Sequence, residues 1–279
     1  IAGKAYAKIG KLGDKKESFS LGTPTATAGI RGTEFVVESQ TNRTALLSVW
    51  EDNVMWRGQI ANSMDKAIAA GQGSRCLPGQ HPEPAVDLPK PPMPKIPAAN
   101  DTFFYNPDKP KSINFTWARP GGTKTHLLVA KDYEMKEVVT DIITEKESFS
   151  LKPGKTDDLF YWMLTAIDTI GLEGQPWPIR ILRLARKIEG PRLRIGRPKM
   201  GEKVNQLKLL VDGSTDLKTE LTINGKPALV SAAGDFSEIT LLKAGENVVT
   251  VIATDRAGNV SSTSLKIFCA PTPAFDAAL

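Results

Sequence analysis

Leu221-Thr222-Ile223-Asn224-Gly225-Lys226-Pro227-Ala228-Leu229-Val230 sets an Asn-Gly pair between two short apolar runs. A two-residue turn that matches the twist of its flanking strands needs φ > 0 at both central positions, which Asn and Gly tolerate well. The segment therefore predicts a β-hairpin. Outward from it, Gly245-Glu246-Asn247 leads into the apolar run Val248–Ala253, and a turn from Asp255 to Asn259 precedes Leu265–Phe268. Short strands separated by turn residues predict a small antiparallel sandwich over residues 191–271. Residues 272–279 read as a frayed end or the start of another linker.

Upstream the same grammar recurs. Ile113, Phe115 and Trp117 alternate on one face, and His126–Ala130, Leu159–Ile167 and Ile179–Ala185 read as further strands, so residues 101–190 predict a second sandwich. Gly121-Gly122-Thr123-Lys124-Thr125 lacks the Gly-Lys-Ser/Thr order of a phosphate loop and is expected to be a hairpin turn. Between Pro78 and Pro97, eight of twenty residues are proline. Proline fixes φ and has no amide donor, so residues 80–100 predict an extended linker, either a strap against a neighbouring domain or a ligand for an aromatic groove. In residues 1–79, Phe19 and Leu21, then Phe35 and Val37, alternate at period 2. Thr44–Trp50 and Val54–Trp56 flank Glu51-Asp52-Asn53, which has the length and chemistry of a hairpin loop. Ile60–Ala70 is the one stretch of helical character, short and without an apolar stripe. The whole chain is expected to be all-β.

Composition narrows the function classes. The 279 residues carry 36 Lys plus Arg against 31 Asp plus Glu, a net charge of +5, which argues against a nucleic-acid binder of this length. Charged residues at 24% and apolar residues at 41% describe an ordinary soluble globular chain. No run approaches the ~18 apolar residues of a membrane span. The chain starts at Ile1, as expected of a processed protein whose targeting signal is gone. Its two His, His81 and His126, lie far apart with no metal-ligand spacing, and no nucleophile elbow or P-loop occurs. Asp157, Asp158, Asp255 and Asn259 offer oxygen ligands but lack a calcium loop and read as Asx turns. We expect no catalytic residue, no cofactor and no metal. Cys76 and Cys269 read either as separate buried thiols or as a pair.

Charge is unevenly placed. Arg180, Arg183, Arg186, Lys187, Arg192, Arg194, Arg197, Lys199 and Lys203 face only Glu189 and Glu202 within one window, an excess larger than that of the whole chain. Basic residues protect edge strands from pairing; an excess of this size also suits an acidic protein surface or an anionic envelope polymer. Trp50, Trp56 and Trp177 are candidates for an exposed sugar platform, whereas Trp117 and Trp162 sit in the apolar register of their strands.

Three segments resemble known families. Thr23-Pro24-Thr25-Ala26-Thr27-Ala28-Gly29-Ile30-Arg31-Gly32-Thr33-Glu34-Phe35, with Ala67–Ser74 downstream, resembles the signature of the FecR domain. That resemblance implies a periplasmic, solenoid-like stack of short strands, with Gly29, Arg31, Gly32, Thr33 and Phe35 as its structural signature. Phe115-Thr116-Trp117 and Phe160–Asp168 are similar to strands of a fibronectin type III-like sandwich. Leu221–Lys226, Gly234-Asp235-Phe236, Gly245–Val248 and Ala253–Asn259 resemble bacterial Ig-like domains. Together they imply a non-enzymatic scaffold or adaptor at the periplasm or cell surface, binding other envelope proteins. The alternatives are a FecR-type transmembrane sensor and a peptidoglycan- or carbohydrate-binding module.

Overall fold

In a computed structural model, the structure describes residues 2–10, 19–30, 32–109, 111–154 and 158–272, and none of these is helical. The first strands are β1 (Gly3–Lys8), β2 (Phe19–Gly22), β3 (Ala26–Ile30), β4 (Glu34–Ser39), β5 (Ala45–Val49), β6 (Asn53–Gly58), β7 (Lys66–Ala69), β8 (Gln72–Cys76) and β9 (Val86–Asp87). Then come β10 (Met93–Ile96), β11 (Asp101–Tyr105), β12 (Ile113–Ala118), β13 (Lys124–Ala130), β14 (Val138–Thr144), β15 (Ser148–Leu151), β16 (Asp158–Ile167) and β17 (Arg180–Arg186). The last are β18 (Leu193–Arg197), β19 (Lys203–Val204), β20 (Lys208–Thr215), β21 (Glu220–Ile223), β22 (Lys226–Ala228), β23 (Asp235–Leu241), β24 (Gly245–Thr254) and β25 (Val260–Cys269).

The sheets pair off along the chain. Their orders are β1-β4-β5-β8-β9 with β2-β3-β6-β7, β10-β12-β15 with β11-β17-β16-β13-β14, and β18-β20-β23 with β19-β25-β24-β21-β22. Most described ladders are antiparallel; β19 runs parallel to β25. The fold is all-β, as the alternation of apolar residues predicts.

Three local expectations need correction. Glu51-Asp52-Asn53 does not close a hairpin: β5 pairs with β4 and β8, whereas β6 pairs with β3 and β7, so the turn carries the chain from one sheet to the other. The turn at Gly121-Gly122 does the same between β12 and β13, which belong to different sheets. Turn chemistry reports that the chain reverses, not which strand it then pairs with. Ile60–Ala70 is not a helix but a turn followed by β7, where Ile68 alone is fully buried.

The chain divides into two compact units. Unit 1 takes the chain up to Asp101 with Asn114–Leu151 and Leu159–Leu182; unit 2 takes Thr102–Ile113, Lys152–Asp158 and the chain from Arg183 onward.

In unit 1 the first pair of sheets encloses Phe35, Leu47, Val54, Trp56 and Ile68, all fully buried. Phe115, Trp117, Leu127, Trp162 and Leu164 are buried as well, with Phe115 edge-on to Trp162 at 5.2 Å. Each large side chain buried this way contributes roughly 1.5–3 kcal/mol. The proline-rich stretch is a strap. Val86 and Asp87 extend the β8 edge, Glu83 accepts from Ser74 and ion-pairs with Arg75 at 2.8 Å, and Pro94 sits in β10 at the edge of β12. Edge positions are where proline is tolerated, because its missing donor faces no further strand. Packing is close at Gly73, where an added Cβ would lie 2.8 Å from Leu88, 2.9 Å from Leu172 and 2.9 Å from the Leu47 carbonyl.

In unit 2 the Ig-like core gathers Val211, Leu221, Ile223, Phe236, Val249, Val251 and Ile267. Asn224 and Gly225 have φ of 49° and 77°, the conformation expected of the Asn-Gly turn, and β21 pairs with β22 across it. Cys76 and Cys269 are both free and buried.

Candidate functional site

The described residues of the FecR-like signature serve the fold of unit 1. Gly29 sits inside β3, and a Cβ there would meet Met55 at 3.5 Å. Gly32 has φ 79°, the left-handed region that favours glycine. The Thr33 hydroxyl donates to the Glu51 carbonyl, bracing the sheet-crossing turn, and Phe35 is fully buried. Arg31 lies outside the described residues.

Unit 1 also contains a buried charged cluster with no local sequence signal. Glu173, on the loop after β16, has a side chain only 4% exposed. One carboxylate oxygen faces His126 Nδ1 at 2.7 Å and accepts from the Thr165 hydroxyl, while the other meets the Lys4 ammonium. His126 Nε2 lies 2.9 Å from the Asp141 carboxylate, and Lys4 reaches Glu38 at 3.8 Å. The loop backbone is held as well: the Trp50 indole N–H donates to the Glu173 carbonyl at 3.1 Å, and the Glu173 N–H donates to the Ser48 hydroxyl at 3.0 Å. β1 and β5 thus supply Lys4 and Ser48, with Trp50 just after β5, and β13, β14 and β16 supply His126, Asp141 and Thr165. Burial alone would raise the Glu173 pKa; the hydrogen bond and charge of His126, with Lys4, outweigh it and hold the carboxyl at about 2. Burial likewise pulls His126 down, but the bond and charge of Glu173 win and its pKa is raised. Imidazolium, a donor at both nitrogens, satisfies both carboxylates.

In unit 2 a second polar network fixes the Asp255–Asn259 turn. The Asn106 amide donates to Asn259 Oδ1 at 2.6 Å; the Asn259 amide donates to the Lys187 carbonyl at 3.0 Å and to Asp255 at 3.1 Å. Lys187 ion-pairs with the buried Asp255 carboxylate at 3.0 Å. Burial opposes ionisation of Asp255, yet Lys187 and Asn259 hold its pKa below the ordinary value. Beside this turn lies a groove of about 260 Å³. Phe103, Phe104, Lys111 and Lys218 line it with Glu220, Thr254, Asp255 and Arg256, and the Arg256 guanidinium stands 5.7 Å from the Phe104 ring.

The predicted basic window is partly neutralised by residues distant in sequence. Arg180 stacks 5.8 Å over Trp162 and donates to the Pro97 carbonyl at 3.3 Å. Lys187 pairs with Asp255, Arg192 with Asp216 at 3.1 Å and Arg197 with Asp212 at 2.5 Å. Arg183, Arg186, Arg194, Lys199 and Lys203 are exposed. The groove's own cations, Lys111, Lys218 and Arg256, fall outside the window. A signal for the groove existed in the aromatic run Phe103-Phe104-Tyr105, at the start of the predicted second sandwich, which forms β11. Trp50 and Trp56 are buried, at 4% and 0%, so neither is a sugar platform; Trp177 is half-buried. Among the described residues no group of three His, Cys, Asp or Glu is arranged to hold a metal ion.

Residues 191–270 match the family described as glucodextranase, domain B. This puts a fibronectin- or Ig-like β-sandwich in the chain, in accord with the observed sheets. Bacillopeptidase F of Bacillus subtilis (strain 168) is 45% identical over 73 residues, 25% of this chain and 5% of the relative. The chain therefore spans only a small part of that relative's length. Among solved structures, the fibronectin(III)-like modules of Clostridium thermocellum CbhA align over 67% of this chain and all of theirs, with TM-score 0.44 and 15% identity. Bacteroides ovatus SGBP-B, solved with a mixed-linkage heptasaccharide, aligns over 64% of this chain and 48% of its own, with TM-score 0.23 and 12% identity.

Proposed function

We propose that this chain is a non-enzymatic extracytoplasmic scaffold or adaptor, mediating protein–protein interactions within a bacterial envelope assembly. The observation that carries this reading is where the buried polar side chains are spent. Glu173, His126 and Lys4 in unit 1, and Asp255, Asn259 and Asn106 in unit 2, bond to one another and to backbone from separate sheets. Catalytic groups are poised toward a reacting atom in a cleft; these are used up in holding β domains together, as a spacer requires. The FecR-like signature in residues 1–79 supports a periplasmic setting, and its described residues Gly29, Gly32, Thr33 and Phe35 serve the fold. The exposed cations Arg183, Arg194, Lys199 and Lys203 are the docking residues we assign for an acidic partner. The test is crosslinking in intact cells followed by capture of the chain. A defined set of envelope proteins, lost in a variant with those four cations changed to Ser, is the expected result. Capture of the same set by that variant, or of none by the natural chain, rejects the reading.

A further inference from the structure

We infer that β23 is a self-association edge, along which a second copy of this chain adds its own β23 antiparallel, with Ile239 opposite Leu241 of that copy. This goes beyond the adaptor reading and does not depend on it.

The backbone comes first. β23 pairs with β20 and ends the sheet β18-β20-β23; among the described residues its outer side carries one bridge, from Val230 to Phe236 at its start. Hydrogen-bonded and non-bonded pairs alternate along an antiparallel ladder. The Leu242 N–H donates to the Leu207 carbonyl and the Thr215 N–H to the Gly234 carbonyl, both at 2.8 Å. With Thr240 opposite Leu209 and Glu238 opposite Val211, the even-numbered residues of β23 therefore turn their N–H and C=O toward β20. Ile239 and Leu241 turn theirs to the open edge, a template for another strand.

The side chains keep that edge open to pairing. Ile239 and Leu241 are 59% and 69% exposed, and Leu210, opposite Ile239 on β20, is exposed beside them. Natural edges are blunted by a lysine, a proline or a bulge. The β20–β23 register instead runs without a shift, and its outward face presents aliphatics. Glu238 is exposed on the other face and does not interrupt them.

Charge then selects the occupant. Asp235 opens the strand, Lys243 follows two residues after Leu241, and both are exposed. An edge with opposite charges at its two ends is complementary to itself when run antiparallel, whereas a partner of uniform charge is repelled at one end. In the stated register Lys243 of the second copy lies opposite Ser237, one diagonal step from Asp235, within reach of a long side chain. The N–H groups of Ile239 and Leu241 in each copy donate to carbonyls of the other, and a two-fold axis repeats every contact.

The test is sedimentation equilibrium of the whole chain, over roughly 5–500 µM because a single paired edge makes a small, weak interface. The weight-average mass should climb from that of one chain towards twice it. Leu241→Pro removes an outward N–H and an aliphatic while keeping the ladder to β20, as edge positions allow. It and Ile239→Lys should keep their melting temperature and lower the association constant about tenfold or more. Val248→Lys, at a comparably exposed aliphatic on β24 in the other sheet, should dimerise as the natural chain does. At low salt Lys243→Asp should weaken association about threefold, and the exchange of Asp235→Lys with Lys243→Asp should restore it. A chain that stays monomeric throughout leaves the edge to another occupant and overturns the inference. So does a dimer unmoved by Ile239→Lys and Leu241→Pro, a dimer lost in Val248→Lys, or a charge exchange that restores nothing.

Discussion

Glu173 in unit 1 and Asp255 in unit 2 are both buried carboxylates, with side chains 4% and 5% exposed, and both are held below their ordinary pKa. They are stabilised differently. Asp255 is bound by a lysine and by the amides of its own turn, with no histidine among these partners. Glu173 shares its charge with Lys4 and with His126, whose proton is exchangeable near neutral pH. Asp255 and Asn259 therefore make a joint indifferent to pH, whereas Glu173 and His126 make one that responds to it.

The largest way to break the comparison is to remove Glu173. Glu173→Ala removes the buried carboxylate shared by His126 and Lys4 and leaves them only Asp141 and Glu38, which are more exposed; removing one partner of a buried pair costs up to roughly 3–5 kcal/mol. Urea unfolding followed by tryptophan fluorescence, a probe of unit 1 because all five Trp lie there, should show a loss of that order, while amide hydrogen exchange in unit 2 is unmoved. A loss below 1 kcal/mol would mean that water reaches the cluster.

Next in size is Asn259→Ala. It leaves the buried Asn106 amide without its acceptor and the part-buried Lys187 carbonyl without its donor. Leaving such groups unpaired costs about 1–3 kcal/mol, and the loss should fall in unit 2 and be the same on either side of neutral pH, because the groups orphaned are an amide and a backbone carbonyl. A loss that differed between the two sides would contradict the contrast drawn with Glu173.

Neither network was legible in sequence, and the reason is physical. His126 and Glu173 are 47 positions apart, and Asn106 and Asn259 are 153 apart. No periodicity links such pairs, because the sheets bring them together. What was legible is local. Asn224-Gly225 announces its turn because backbone sterics act on two residues. Ile113, Phe115 and Trp117 announce a strand because one face is buried. Where burial is two-sided the pattern fails: β5 is buried at every position, so nothing in its sequence showed that the adjoining Trp50 faces inward. The basic window failed in another way. A count along the chain does not see Asp212, Asp216 and Asp255, which come from other strands and turns to meet Arg197, Arg192 and Lys187.

The smallest effect is the most specific. Glu173 has its pKa lowered from 4.5 to about 2, so its contribution is present above 4.5 and is lost as pH falls toward 2. His126 has its pKa raised above 6.5, so its contribution is full below 6.5 and is lost as pH rises through the folded value. The charged groups around the imidazole are Glu173 from its loop, Asp141 from β14, Lys4 from β1 and, through Lys4, Glu38 from β4. Loss of the imidazolium proton removes one positive charge from this group and leaves neutral His126 a donor to only one of its two carboxylates. Unit 1 should therefore be most stable between about pH 4.5 and 6.5 and weaken on the alkaline side. With only two histidines in the chain, the His126 resonance is resolvable from that of His81 by NMR, and its midpoint should coincide with the alkaline decline in melting temperature. His126→Gln should flatten that decline while leaving the acid one in place. An alkaline decline that persists in His126→Gln would assign it to another group and dissolve the distinction between the two joints.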